Sequence, residues 1–184
     1  MRIISGSLRG RRLTAARGMN TRPTTDRTRE ALFNILGREV VGRQVLDLFA
    51  GTGALAMEAL SRGAESAVLV DNARTALNTI RKNIQTFNLA ASTRLIHRDL
   101  SRRLTCLNSY ERHFDLDFMD PPYGQHLADK ALLHLDDSGA MAANALVVVE
   151  HHVKDLLEPP VDRFHLNDQR RYGKTLVSFI RYML

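Results

Sequence analysis

The sequence predicts an α/β fold, a mostly parallel sheet with helices on both faces. Three observations carry this. Short apolar runs of strand length alternate with helical patterns through the middle of the chain. One run, Val45-Leu46-Asp47-Leu48-Phe49, enters a glycine turn, Ala50-Gly51-Thr52-Gly53, that opens a helix. Another, Phe114-Asp115-Leu116-Asp117-Phe118-Met119, stops at Asp120-Pro121-Pro122-Tyr123. Two prolines can neither pair inside a sheet nor continue a helix, so a buried strand ends there in a rigid turn.

Taken in order, Ile3-Ile4 and Arg11-Arg12-Leu13 flank a glycine-bearing stretch and read as a basic N-terminal hairpin. A helix starts near Thr24 or Thr25, with Asp26 suited to its first turn, and ends at Gly37. Ala31, Leu32, Ile35 and Leu36 make its apolar stripe. Parallel strands follow over 44–49, 66–70, 93–97, 114–119 and 145–150. Helices fall near 54–62, 73–87 and 127–136, with a poorer candidate at 101–108. Arg163-Phe164-His165-Leu166 and Thr175-Leu176-Val177-Ser178-Phe179-Ile180 flank a Tyr-Gly-Lys turn, an antiparallel hairpin on the sheet edge.

Length and composition fit this. The 184 residues suit one domain, with 1–37 as hairpin and helix and 44–184 as the core. The lone Cys106 excludes an internal disulfide framework and suits a reducing cytosol. No apolar stretch marks a signal peptide, and Ala145-Leu146-Val147-Val148-Val149 is far too short for a bilayer. A cytoplasmic protein without membrane contact is expected, and a monomer. With no H-E-x-x-H and no cysteine pair, no metal is expected either.

Charge is concentrated. Residues 1–29 hold Arg2, Arg9, Arg11, Arg12, Arg17, Arg22, Arg27 and Arg29 against Asp26, a net of +7, while the whole chain is +6. Arginine forks suit phosphate oxygens, so Arg2, Arg9, Arg11, Arg12 and Arg22 are candidate RNA contacts. The bland alternative is a solvated surface. On the first reading, removing residues 1–18 weakens RNA binding and leaves cofactor affinity intact.

The two turns carry the chemistry. Asp120 and the Pro121 carbonyl can accept from an amino group, and the Tyr123 ring can stack on a planar base. The natural target is an exocyclic amino group of a nucleobase, although a plain strand-ending turn would look the same. Gly51 and Gly53 let the backbone turn tightly and approach a ligand. Asp71, after the strand over 66–70, is placed to accept from ribose hydroxyls, or simply to cap the next helix as Asn72 could. Asp99, after the strand over 93–97, has a similar capping alternative at Ser101.

The order Val45–Gly53, an acid after the second strand, an acid after the third, then DPPY resembles S-adenosylmethionine-dependent amino-methyltransferases of nucleic acids. The run Thr21-Arg22-Pro23-Thr24-Thr25-Asp26-Arg27-Thr28-Arg29-Glu30 through Leu36, with Arg171-Tyr172-Gly173-Lys174-Thr175, resembles the bacterial 16S rRNA guanine-N2 methyltransferases (RsmD-type). The resemblance implies a Rossmann-like class I methyltransferase fold with a seven-stranded sheet. It implies S-adenosyl-L-methionine held by Asp47, Phe49, Ala50, Gly51, Gly53, Asp71, Asn72, Asp99, Leu100 and Asp120. In that family Asp99 and the Leu100 amide would meet the adenine ring. Asp120, Pro121, Pro122 and Tyr123 would form the catalytic turn. The substrate would be 16S rRNA, the small ribosomal subunit or its precursor. DNA adenine or cytosine amino-methylation, or an RNA-binding ribosome-assembly role without catalysis, are the competing functions. Asp117 departs from the family, which usually carries an aliphatic residue there; an unpaired buried carboxylate costs several kcal/mol.

Overall fold

The computed structural model describes residues 1–15, 26–108, 110, 113–124, 127–155, 157–158 and 161–184. Helix α1 (Asp26–Leu36) is followed by a 3-10 turn and then β1 (Gln44–Leu48), α2 (Ala54–Ser61), β2 (Ser66–Asp71), α3 (Arg74–Phe87) and β3 (Thr93–His97). The second half comprises β4 (Phe114–Met119), α4 (Leu127–Ser138), β5 (Met141–His152), β6 (Phe164–Tyr172) and β7 (Thr175–Tyr182). The seven strands lie in the order β3-β2-β1-β4-β5-β7-β6. Strands β1 to β5 pair in parallel, whereas β7 runs antiparallel to both β5 and β6.

The chain winds outward from β1 to β3, then returns to lay β4 on the other side of β1. Strand order therefore reverses between β1 and β4, and a crevice opens beyond their carboxyl ends. The glycine turn leaves β1 at that point and the Asp120–Tyr123 turn leaves β4 beside it.

Alternation along the strands divides the core in two. Val45, Leu116 and Phe118 pack with Leu32 and Phe33 of α1, Met57 of α2 and Ile80 of α3. Leu46, Leu48, Met119 and Val147 pack with Ala131, Leu132 and Leu135 of α4. Each fully buried side chain of this size contributes about 1.5–3 kcal/mol. Both faces of the central strands are covered, as continuous apolar runs require.

Four expectations need correcting. The pattern at 101–108 yields only a 3-10 turn at Thr105–Leu107. In α1 the buried stripe is Leu32, Phe33 and Leu36, whereas Ile35 is exposed. Strand β5 begins at Met141 because a register shift opposite Phe114 and a left-handed Asn144 (φ 61°) let the chain pair early. Strand β6 continues to Tyr172, an edge strand with mostly exposed side chains. At the N-terminus, residues 1–15 turn back on themselves through an antiparallel Arg2–Arg12 bridge, with Ile3 N donating to Arg11 O at 3.0 Å and Leu13 N to Met1 O at 3.2 Å. The expected helix start at Thr24 or Thr25 lies outside the described residues.

Candidate active site

The turn after β1 is held by carboxylates. Asp71 Oδ2 accepts from Gly51 N at 2.8 Å and its Oδ1 from Ala73 N at 2.8 Å. Both oxygens keep further lone pairs for a ligand hydroxyl. Asp47 is buried beneath the turn, and its Oδ2 accepts from Ala56 N, in the first turn of α2, at 3.1 Å. Burial pushes its carboxyl from 3.8 up to about 8, helped by the nearby charge of Asp71 and opposed by the Ala56 hydrogen bond.

The two glycines serve different ends. Both have positive φ, 57° at Gly51 and 75° at Gly53. A Cβ on Gly53 would stand 2.9 Å from Leu69 Cδ2 and 3.1 Å from Met57 Cε, so this glycine lets α2 sit down on β2. A Cβ on Gly51 would meet nothing nearer than Phe49 O at 3.8 Å. Phe49 itself is left-handed (φ 61°), an uncommon conformation for a bulky side chain and one that concentrates at functional sites.

Phe49, Asp71, Asn72, Asp99, Leu100 and Leu127 come together around a cavity of about 190 Å³ at the carboxyl ends of β1, β2 and β3. Two carboxylates face apolar walls, an acceptor set suited to the hydroxyl and amino groups of a ligand that carries a flat heterocycle. Asp99 Oδ1 accepts from Ser101 N at 3.0 Å and Ser101 Oγ at 2.7 Å. These bonds, with Arg102 and Arg98 nearby, hold its carboxyl below the ordinary value. Asp47, Ala50, Gly51 and Gly53 do not line this cavity; they shape the turn behind it.

Beside it, Pro121, Pro122, Tyr123 and Gly124 line a narrow cleft with His151 and Leu127. Leu127, the first residue of α4, borders both spaces. The Tyr123 hydroxyl donates to Glu150 Oε1 at 3.3 Å and lies 3.3 Å from Thr175 Oγ1. Burial, with the carboxylates of Glu150 and Asp120 nearby, pushes the phenol up to about 12. The ring is tethered to β5 and β7 yet remains 41% exposed, leaving surface for stacking. Asp120 stands partly buried at the head of this turn.

The N-terminal segment is seated between α2 and α3. Glu58 of α2, fully buried, accepts from Ile4 N at 2.8 Å, Ser5 N at 3.0 Å and Arg62 Nε at 2.8 Å. Ser61 Oγ accepts from Leu8 N, and Asn83 of α3 accepts from Thr14 N while donating to Thr14 O and Thr52 O. Ile3 and Leu13 enter the core. Removing residues 1–18 would therefore damage the fold, which corrects the expectation that the segment is separable from the rest. Arg2, Arg9, Arg11 and Arg12 are exposed; Arg22 lies outside the described residues. Arg29, counted with that positive charge, is fully buried and bonds Arg2 O and Asp26 instead.

Sequence reasoning did not find Leu127, Glu58 or Glu150. Leu127 looks like any helical leucine, and Glu58 like any exposed helical acid. Only the position of Glu150 at the end of an apolar strand gave a signal.

A family model described as "Conserved hypothetical protein 95" matches residues 1–181. The chain is 36% identical over 181 residues to "Putative rRNA methyltransferase YlbH" of Bacillus subtilis, covering 98% of each. It is 36% identical over 174 residues to "Ribosomal RNA small subunit methyltransferase D" of Escherichia coli K12, covering 95% of this chain and 86% of that one. The solved structure of "Putative methyltransferase yhhF from Escherichia coli" superposes with a TM-score of 0.85 at 34% identity, covering 100% of this chain and 98% of that one.

Proposed function

The chain belongs to the Conserved hypothetical protein 95 family of RsmD-type methyltransferases, and from that premise we propose that it methylates the exocyclic N2 amino group of a guanine in small-subunit ribosomal RNA, with S-adenosyl-L-methionine as donor. The observation that carries this reading is the meeting of two spaces at Leu127, one walled by Asp71 and Asp99 and one by the Asp120–Tyr123 turn. A donor and an acceptor of a small group would lie side by side there.

When bound, the sulfonium supplies an electrophilic methyl group and a neutral thioether leaving group. Asp71 would accept from the ribose hydroxyls, and Asp99, held ionised by Ser101, from the adenine amino group. Leu100, Leu127 and Phe49 would exclude water from the ring.

The guanine amino lone pair is delocalised into the ring and is a poor nucleophile. Hydrogen bonds from N2–H to the Asp120 carboxylate and the Pro121 carbonyl favour a more tetrahedral nitrogen with its lone pair aimed outward, and the N2 proton, acidic once the methyl is transferred, would leave through Asp120 to water. Pro122 stiffens the turn that holds these acceptors. Tyr123, fixed through its hydroxyl by Glu150 and Thr175, offers its ring as a stacking surface. Holding the reactants at attack distance contributes about 7–11 kcal/mol of barrier reduction. The target base must be unpaired or flipped to reach the turn. Exposed Arg2, Arg9, Arg11 and Arg12 would meet phosphates around it.

Labelled-methyl transfer to small-subunit rRNA, unmodified small subunits and DNA, followed by nucleoside mapping, tests this. N2-methylguanosine in rRNA is expected; methyladenine or methylcytosine in DNA, or no transfer at all, overturns it. Asp120→Ala should lower turnover on the order of 10²-fold with donor affinity nearly unchanged. Asp71→Ala should lose donor affinity first.

A further inference from the structure

Helix α3 turns Ala76, Leu77, Ile80, Ile84 and Phe87 into the core and leaves Arg74, Asn78, Arg81, Lys82 and Gln85 exposed. From Asn72 to Arg98 the chain carries Arg74, Arg81, Lys82, Arg94 and Arg98 and no acid at all. That is unusual for a solvated helix, where acids one turn away ordinarily offset such charges and an acid is favoured in the first turn. Here Arg74 occupies the first turn. Arg43, Arg62, Arg163, Arg170 and Arg181 each face a carboxylate within 4.0 Å. Among the described residues no salt bridge involves Arg74, Arg81 or Lys82.

This face joins the N-terminal segment physically. The Arg11 guanidinium donates to Thr86 O and lies 4.9 Å from the Phe87 ring centroid. Thr86 Oγ1 in turn donates to Lys82 O at 2.7 Å, so Arg11 sits about one helical turn from Lys82. At its other end the helix begins two residues after Asn72, which lines the 190 Å³ cavity. A positive strip of roughly 20 Å thus runs from the cavity rim along α3 to the N-terminal segment.

We infer that the outward face of α3, through Arg74, Arg81 and Lys82, is a second phosphate-binding surface that holds the RNA strand on its way to the Asp120–Tyr123 turn. The inference rests on the RNA reading above and adds a surface to it. Charge complementarity names the occupant: three exposed cations with no carboxylate partner among the described residues, Arg81 held in place by its bond to Asn78 Oδ1 at 3.1 Å, match a polyanionic backbone. Such contacts position the strand without reading its sequence.

The test compares the intact protein with a triple variant, Arg74→Gln, Arg81→Gln and Lys82→Gln, and with a control of equal charge loss elsewhere, Arg38→Gln, Arg103→Gln and Lys130→Gln. Binding to in vitro transcribed small-subunit rRNA is measured across a salt titration, beside calorimetric donor affinity and thermal stability. The α3 triple should bind at least tenfold more weakly at low salt, and the magnitude of its log–log salt slope should fall by about 2. Donor affinity and Tm should be unchanged, and the control should stay near the unsubstituted protein. If the unsubstituted protein binds RNA with a steep salt slope and the α3 triple matches it, the inference is wrong. Equal losses in both triples would also overturn it, since net charge alone would then explain the effect. Absence of salt-dependent RNA binding by the unsubstituted protein would instead bring down the RNA reading itself.

Discussion

The two faces of the central sheet treat buried charge in opposite ways. On the face under α1, α2 and α3, Asp47 accepts the Ala56 amide, Glu58 gathers two amides and two arginines, and Asn83 clamps Thr14 and Thr52. On the face under α4, Asp117 is fully buried among Leu46, Val147 and Met119, and neither carboxylate oxygen has a hydrogen-bond partner. Burial pushes its carboxyl well above the ordinary range; Asp47 adds to the shift and the Phe118 amide offsets it only in part. Both faces are equally dry, so dryness alone does not set the cost. A buried carboxylate is tolerated where amides or arginines make well-aligned hydrogen bonds to it and is costly where apolar side chains surround it and the nearest amide is poorly aimed.

The sharpest way to break this contrast is Glu58→Ala. It leaves fully buried Arg29 with Asp26 as its carboxylate partner and releases the Ile4 and Ser5 amides and Arg62, so a loss of about 3–5 kcal/mol is expected by urea denaturation. A loss below about 1 kcal/mol would show that the polar face is less dependent on its partners than the geometry implies. Asp117→Val should act in the other direction, gaining about 1–4 kcal/mol because an unsatisfied group is replaced by an aliphatic one of similar size. A drop in Tm would mean that the carboxylate has a partner in solution. Gly53→Ala should cost about 1–3 kcal/mol through its left-handed backbone and the Leu69 contact, and Gly51→Ala less, since no neighbour crowds it.

The last comparison is the pH slope. Asp47 and Asp117 hold protons more tightly folded than unfolded; for Asp47 the native state carries the extra proton between about pH 4 and about pH 8, and Asp117 shifts in the same direction. Their contribution is fully present below pH 3.8 and is lost as pH rises through the folded value. Tm should therefore fall between pH 5 and pH 8, and Asp117→Val should flatten that fall. An unchanged slope in the variant would assign it to other groups.

Much of the fold was legible because its cause is local. Alternation and length gave the strands, and the capping and glycine signals gave most helix limits. Asp117 could be singled out because a charge in an apolar run is visible in one dimension. The left-handed Phe49 could not, since a bulky residue carries no local signal for positive φ. Ile35 and Phe33 exchanged places for a related reason: periodicity fixes a stripe's width, while the contact surface chooses its centre. The charge of Arg29 was read as surface because its partner Glu58 lies 29 residues away in sequence. Leu127 gained its position at the junction of two cavities from the sheet's order reversal, a property of topology.

The seat of the N-terminal segment has a consequence for how the molecule can change. Ile4, Ser5, Leu8 and Thr14 are gripped by their backbone N–H groups, and the gripping side chains belong to α2 and α3. At Gly6, where an added Cβ would fall 1.8 Å from Ser61 O, the fit tolerates no side chain. Apart from Gly6, the apolar residues Met1, Ile3, Leu8 and Leu13 and the Arg11 side chain on α3, the segment is held through its backbone, so its outward chemistry can be rewritten while the socket stays the same. A basic tip could be exchanged for a neutral or aromatic one without redesigning the scaffold that holds the segment.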